Sequence, residues 1–486
     1  MTSPHRPDPG PARETWPTSP ADPSTLDRVL GDIDTDLDNS LERLFAWLRI
    51  PSISTDPAYA GGCRQAAEWV RGNLEALGFE ATLRETPLHP VVVGHLPHPG
   101  GPHLLFYGHY DVQPVDPLAL WDRPPFDPAL VTLPDGRRSI TARGACDDKG
   151  QVMTFLEACR AWKAVAGTLP LGLTVVIEGA EENGSKHLPE FIEAHKDELG
   201  ADLALVCDTG MWDRDTPQIT SSLRGLAYYE IIVQAADRDL HSGLFGGAAR
   251  NPIHVLAGIV AALHDADGRV TLPGFYDGVP ETPPEVLEQW RRLDLRPEAF
   301  LGQVGLRVPA GERDRMLLEM IQSRPTCDVN GIIGGYTGEG TKTVIPAEAK
   351  LKVSFRLVGD QDPAALTTSF EAFVRARVPQ DCRVEIVRYG RSRGLQLPYD
   401  LPALAAAKEA LRAEWGREPV TIGSGGSIPV VGDFKRVLGL DTLLVGFTLD
   451  DDRMHSPNEK YDLRSFHKGA RSWARILAGL AAAPQR

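Results

Sequence analysis

Cysteine is scarce in this sequence: six in 486 residues (Cys63, Cys146, Cys159, Cys207, Cys327 and Cys382), with no CxxC pair among them. That spacing argues against a thiolate zinc site and a disulfide framework, and it points to a reducing, cytoplasmic setting. Long hydrophobic runs are missing as well. No stretch of transmembrane length occurs, and the proline-rich opening (Pro4, Pro7, Pro9, Pro11, Pro17, Pro20, Pro23) contains no apolar segment of the kind a secretory signal needs. Neither membrane insertion nor secretion is expected. Basic residues fall short of acidic ones, 51 against 66, for a formal charge of -15. Such a surface repels phosphate backbones and anionic lipid, so nucleic acid and membranes are not expected as partners. No GxGxxG follows an early strand, which argues against a dinucleotide-binding dehydrogenase.

What remains is ordinary globular composition, 42% hydrophobic and 24% charged, in a chain too long for a single core. Apolar residues at helical spacing (Leu26, Val29, Leu30, Ile33, Leu37, Leu41, Leu44, Leu48) follow a Ser24 or Thr25 cap and stop before Pro51, which predicts one helix. Leu104, Leu105 and Phe106 open a strand that runs into GHYDVQP, and a helix follows Asp148. A second strand covers 173–179, a helix starts near Leu188, and a third strand covers 201–208. This alternation predicts an α/β fold, a mostly parallel sheet with helices on both faces.

Between 222 and 390 the pattern changes to long strands (226–236, 329–335, 349–357) and two helices (252–264 and 363–377), which predicts a small α+β domain. The strand at 383–389 is expected to return the chain to the first domain, so that the small domain is an insertion. The expected division is a flexible tail over 1–24, a principal domain over 25–221 and 391–486, and the insertion over 222–390.

In such sheets ligands gather at the carboxyl ends of strands, and His109, Glu181, Glu182 and Asp208 all fall at or just beyond those ends. In GHYDVQP, period-two alternation puts His109 and Asp111 on one side. A carboxylate beside an imidazole fixes its tautomer, which casts Asp111 as the partner of His109 rather than as a ligand. RGACDDKGQ sets Asp147 and Asp148 at a helix start, where capping accounts for one aspartate better than for two. EGAEENGS places Glu181 and Glu182 side by side after a buried strand, an expensive arrangement unless cations or protons compensate. With His455 of MHSPNEK, the candidate shell is two histidines and three carboxylates. That donor set suits Zn²⁺, Mn²⁺ or Co²⁺ better than Ca²⁺ or copper.

Taken in order, GHYDVQP, WDRPPFDP, RGACDDKG, EGAEENGS, DLHSG, KTVIP, GSGGSIP and MHSPNEK resemble the motifs of carnosinase-like dipeptidases. These belong to the two-metal peptidase family that also contains carboxypeptidase G and the aminoacylases, and the resemblance runs from about residue 41 onward. It implies an aminopeptidase-like catalytic domain with an inserted lid and dimerisation domain, assembled as a homodimer and carrying two divalent ions per chain. Position by position, it implies His109 and Asp208 on one ion, Glu182 and His455 on the other, and Asp147 bridging both. Glu181 resembles the general base that acts on a metal-bridging water, and Asp111 the residue that orients His109. In the insertion, His241 of DLHSG resembles an oxyanion-stabilising histidine, expected to reach the partner subunit's site. Thr343 and Arg356 resemble contacts to the substrate's terminal carboxylate, and Ser427 of GSGGSIP completes that set. The peptide bond between Asp147 and Asp148 is expected to be cis. Cys146 and Cys207, beside two of the aspartates, depart from the family pattern and are expected to be inert buried thiols.

The implied activity is metal-dependent hydrolysis of dipeptides or short peptides bearing a free C-terminal carboxylate. Removal of an acyl or carbamoyl group from an amino acid would use the same metals and the same carboxylate contacts. A noncatalytic binding or assembly protein of this fold would be expected to have lost the base or a ligand, yet every such position here holds a competent residue.

Overall fold

The described residues, 23–98, 100–425 and 428–483 of a computed structural model, divide into two compact units. The first takes the chain up to Pro217 with Asp400–Glu418 and everything from Val445; the second takes Gln218–Tyr399 and Pro419–Leu444. In the first unit, β1 (Glu80–Arg84), β2 (Val91–Leu96), β3 (His103–His109), β4 (Gly172–Glu178) and β5 (Leu203–Val206) lie in the order β1-β2-β4-β3-β5. β3 runs parallel to β4 and β5, while β1 and β2 add an antiparallel edge. This is the α/β architecture that the alternation of strands and helices predicts. All residues of β4 and β5 are buried, which explains why their sequences are mostly apolar rather than alternating, Thr174 and the terminal Glu178 apart.

Aromatic packing ties the end of β3 to its neighbours. Phe106 of β3 stacks on Phe155 of the helix Lys149–Ala166, with ring centres 3.6 Å apart. Phe155 in turn meets Trp473 of the helix Leu463–Ala482 edge-on at 5.3 Å. The strand that delivers His109 and the helix that begins after Asp148 are therefore held as one packed body. A small sheet in the same unit, Ala129–Thr132, Arg138–Thr141 and Lys460–Asp462, draws the C-terminal segment back to Arg143. No helix among the described residues is long and apolar enough to cross a membrane.

The expected tail lies outside the described residues through 22, and helix already begins at Pro23. The single helix expected up to Pro51 is two, Pro23–Thr35 and Leu37–Leu48. Asp36 makes the break: its carboxylate accepts from Asn39 Nδ2 and Arg43 Nη2, each at 2.5 Å. An aspartate that folds onto the following turn favours starting a helix over continuing one.

In the second unit, β6 (Gly225–Gln234), β7 (Thr326–Gly334), β8 (Glu348–Leu357) and β9 (Arg383–Ser392) form an antiparallel sheet in the order β7-β8-β6-β9. Alternate residues of β6 and β8 are buried, and Tyr229, Ile231, Val353 and Phe355 join Phe370 of the helix Pro363–Arg375 in the unit's core. The strand at 383–389, the last of the expected insertion, pairs along its length with β6 and so belongs to this sheet. Pro419–Leu444 also falls in this unit, because Val420–Ser424 pairs in parallel with Gln218–Leu223.

Candidate metal centre

β3 and β4 end side by side, with His109 opposite Glu178. Just past β4 a single 3₁₀ turn, Glu181–Asn183, carries both glutamates, and Asp208 follows β5 by two residues. Asp147 and Asp148 stand immediately before the helix Lys149–Ala166, joined by a cis peptide bond. His455 comes from the loop ahead of Lys460–Asp462 with a left-handed φ of 61°, unusual for a residue with a side chain.

These segments bring together two overlapping groups. The ligand atoms of His109, Asp147 and Asp208 all lie within 4.8 Å of one another, and so do those of Asp147, Glu182 and His455. Asp147 is common to both. Its Oδ1 is 3.2 Å from His109 Nε2, and its Oδ2 is 2.8 Å from His455 Nε2, which is also 3.4 Å from Glu182 Oε2.

Other side chains hold this arrangement without joining it. His109 Nδ1 lies 3.1 Å from the Asp111 carbonyl oxygen, so a proton there leaves the Nε2 lone pair facing inward. The Asp111 carboxylate accepts from the backbone N–H of Glu181 (3.3 Å) and of Glu182 (3.1 Å), fixing the glutamate turn beside the histidine. Asp148 accepts from the His109 N–H at 3.2 Å and from the Cys207 thiol at 3.4 Å, and belongs to neither ligand group. Burial pushes the thiols of Cys146 and Cys207 well above their usual range, which fits inert packing.

Two supporting residues were not singled out from the sequence. Glu459 is fully buried; its Oε2 accepts from Arg143 Nη1 (2.8 Å) and the Gly144 N–H (3.0 Å). Its Oε1 accepts from the N–H groups of Cys146 (2.9 Å) and Asp147 (3.2 Å), so one carboxylate shapes the loop that presents the shared aspartate. Gln113 donates to Glu182 Oε2 at 2.6 Å. Both sit inside the quoted motifs, but their partners are distant in sequence and no local pattern marks them.

The electrostatics test whether cations fit. His109 Nε2 and Glu182 Oε1 are buried and make no hydrogen bond among the described residues, a costly state unless another group completes them. Burial and the Asp147 charge push Asp208 up to about 7 and Glu182 up to about 8. Asp147 itself is held below the usual range: burial works against this, but the two imidazoles beside it, His109 and His455, prevail. The hydrogen bond to Asp147 raises His455 to about 9 despite its partial burial. Hard oxygen and imidazole donors, two of them orphaned, with protons retained to relieve repulsion, fit a pair of divalent cations.

The other candidate residues lie in the second unit. Leu240–His241 pairs with Val344–Ile345, and the Ser242 N–H donates to the Thr343 carbonyl at 3.0 Å, so His241 and Thr343 are neighbours, both exposed. Arg356 stands on the half-exposed side of β8. Ser427 lies outside the described residues.

An α/β sheet whose strand ends gather two ligand groups around one shared aspartate defines a two-metal hydrolase. The chain belongs to Peptidase family M20/M25/M40, whose model matches residues 105–479. It is 31% identical over 453 residues to the Cys-Gly metallodipeptidase DUG1 of Candida albicans, covering 89% of this chain and 92% of that protein. Among solved structures it is similar to human carnosine dipeptidase 1, with a TM-score of 0.72 and 28% identity over 94% of this chain and 99% of that one. It is also similar to the metallo-carboxypeptidase Sso-CP2 from Sulfolobus solfataricus, with a TM-score of 0.76 and 31% identity over 91% and 99%. The chain is thus a metal-dependent peptidase of the dipeptidase type, and the resemblance drawn from its motifs holds.

Two predictions follow from the site. Glu459→Gln puts an amide donor against a ring of donors and removes the partner of buried Arg143. It is expected to cost about 3 kcal/mol of stability and to weaken metal binding about tenfold, read by denaturant midpoint and metal titration; unchanged values in both would refute the bracing role. The second concerns protons. Groups raised to about 7, 8 and 9 in the metal-free site still carry protons at neutral pH and must lose them to bind a cation. Metal binding at pH 7 should therefore release protons, and apparent affinity should rise with pH until it levels off above about 9. Calorimetry in buffers of different ionisation heat measures the release, and heats independent of buffer would contradict it.

Proposed function

We propose that this chain hydrolyses dipeptides and short peptides with a free C-terminal carboxylate, using two divalent ions, Zn²⁺ or Mn²⁺, with Co²⁺ also suited. His109 and Asp208 would hold one ion, Glu182 and His455 the other, and Asp147 both. The observation that carries this is the shared aspartate, whose two oxygens face histidines of two different ligand groups. Bound there, divalent ions polarise a carbonyl and lower the pKa of water.

In this assignment Glu181 takes a proton from the attacking water and later returns it to the leaving amine. Burial raises its pKa, which brings the carboxyl closer to the working range of a group that must both accept and donate. Asp111 keeps His109 in the tautomer that turns Nε2 inward. His241 stabilises the developing oxyanion, and Thr343, Arg356 and Ser427 take the substrate's carboxylate. The adjacency of His241 and Thr343 and the half-exposed setting of Arg356 support that set, while Ser427 rests on its motif alone. The peptidase names of the relatives favour peptides over N-acyl or N-carbamoyl amino acids.

The inserted unit also suits a homodimer contact. β7 is an edge strand of its sheet, and its Ile332 and Ile333 are 54% and 57% exposed, an apolar edge that a second copy would cover. Cysteines without disulfides fit a cytoplasmic setting.

Glu181→Gln keeps the side chain's shape but cannot accept a proton. It should lower kcat at least 1,000-fold, roughly the upper part of the range for general-base removal, while metal analysis still finds two ions per chain; substantial residual turnover would sink the assignment. Mixing inactive His241→Ala chains with inactive Glu181→Gln chains tests the placement of His241. If it serves the partner's site, mixed dimers regain one working site; with subunit exchange verified, no recovery would mean that it serves its own.

A further inference from the structure

Arg224 sits at the junction between Gln218–Leu223 and β6, entirely within the second unit, and no role falls to it in the chemistry above. Leu226 pairs opposite Arg356, and half-burial alternates with full burial from Leu223 through β6, so Arg224 and Arg356 share one face, a diagonal step apart. Neither guanidinium makes an ion pair or a side-chain hydrogen bond among the described residues, and Arg224 Nε is buried without a partner. Asp328, on the neighbouring strand, has its carboxylate engaged by Thr326 Oγ1 at 3.0 Å.

The backbone makes room for this arginine. A Cβ on Gly425 would lie 2.9 Å from Arg224 Nη2, so glycine at this point of GSGGSIP lets the guanidinium rest against the loop. Burial, and then the Arg356 charge, depress the pKa of Arg224 against a weaker opposing pull from Asp328, as expected of two like charges held on one face. Arginine forks match carboxylate oxygens in pairs, and an anion received between two forks turns their mutual repulsion into attraction.

We propose that Arg224 and Arg356 form a two-guanidinium clamp for the substrate's terminal carboxylate, which makes Arg224 a specificity-determining residue. The inference rests on the peptide-hydrolase reading and extends it to a residue that reading does not use. A neutral carboxamide at the same end would leave both cations uncompensated, so the clamp sets how strictly the enzyme demands a free carboxylate.

The test compares wild type, Arg224→Met and Arg224→Lys, all metal-loaded, on the dipeptide that wild type cleaves fastest and on its C-terminal carboxamide. Arg224→Met should raise KM tenfold or more while kcat changes less than threefold, and should lose most of the preference for the free carboxylate. Arg224→Lys, which keeps the charge but not the fork, should fall between. A lowered kcat with unchanged KM, or retained discrimination against the carboxamide, would overturn the clamp. So would a dimer that dissociates in Arg224→Met with KM unchanged, since the arginine would then pair with another chain. Should wild type cleave no dipeptide, the functional reading fails on its own and the clamp is read by calorimetry with N-acetylglycine. Binding at least tenfold weaker in Arg224→Met then supports it, and equal binding, or none to wild type, refutes it. Should Arg224→Met fail to fold, Arg224→Lys decides: a raised KM or weakened N-acetylglycine binding supports the clamp, and unchanged values refute it.

Discussion

The rest of the structure answers to one constraint, the crowding of negative charge at the ends of β3, β4 and β5. Asp147, Glu182 and Asp208 converge there, with Glu181 and Asp111 beside them. Two like charges about 4 Å apart repel by about 4 kcal/mol at an effective dielectric constant near 20. Left to itself, the site keeps protons on Glu182 and Asp208, which burial and then the Asp147 charge raise, and on His455, which its hydrogen bond to Asp147 raises. Divalent cations would relieve the repulsion more fully, since they would neutralise the charge and could complete the orphaned His109 Nε2 and Glu182 Oε1 together.

A cluster held only by its cations would collapse or splay whenever they left, and the chain prevents this with acids that are not themselves ligands. Asp111 binds the backbone of the glutamate turn, Asp148 the backbone of His109, and Glu459 the backbone on either side of Ala145. Each is fully buried, and each accepts from at least one backbone N–H of a segment that carries a candidate ligand. Backbone donors suit this task because they are fixed by the fold and bring little net charge of their own into the pocket, and Arg143 adds a cationic donor, on Glu459. His455 is the exception in position: its ring is half exposed and its backbone left-handed, so its place depends on the contacts with Asp147 and Glu182.

Much of this could be read from the amino acids, and the failures have physical causes. The three parallel strands of the first sheet announce themselves because burial on both faces demands nearly unbroken apolar runs, and paired acids beyond such runs have few uses other than cations, whereas the half-exposed edge strand β1 gave no such run. Glu459 gave no such sign, because its donors lie more than 300 residues away and a glutamate after asparagine reads as surface. The break at Asp36 was hidden inside a correct helical period, since the side-chain bonds to Asn39 and Arg43 compete with the helix without disturbing the spacing of leucines. β9 was recognised as a strand inside the expected insertion, but the neighbour it pairs with was not. Alternation with period two specifies a face to bury, yet carries no information about which edge will accept the hydrogen bonds.

The division between the units has an energetic consequence. The seven residues that bear the metal and proton chemistry in this assignment, His109, Asp111, Asp147, Glu181, Glu182, Asp208 and His455, all come from the first unit. The groups assigned to the substrate's carboxylate come from the second, from the ends of β6 and β8 and the loops beside them. A carboxylate far from the scissile bond keeps its charge throughout the reaction, so contacts to it stabilise substrate and transition state alike and act mainly on KM. In the same assignment the first unit's groups would act on charge that develops only during the reaction, and so on kcat. Because the two sets sit on separate cores, a change of arginine or glycine in the second unit can alter which peptides are accepted while the charge balance among Asp147, Glu182 and Asp208 stays as it is. The reverse does not hold in this assignment: a change that disturbs that balance would alter the hold on the ions, and with it the hydrolysis of every substrate.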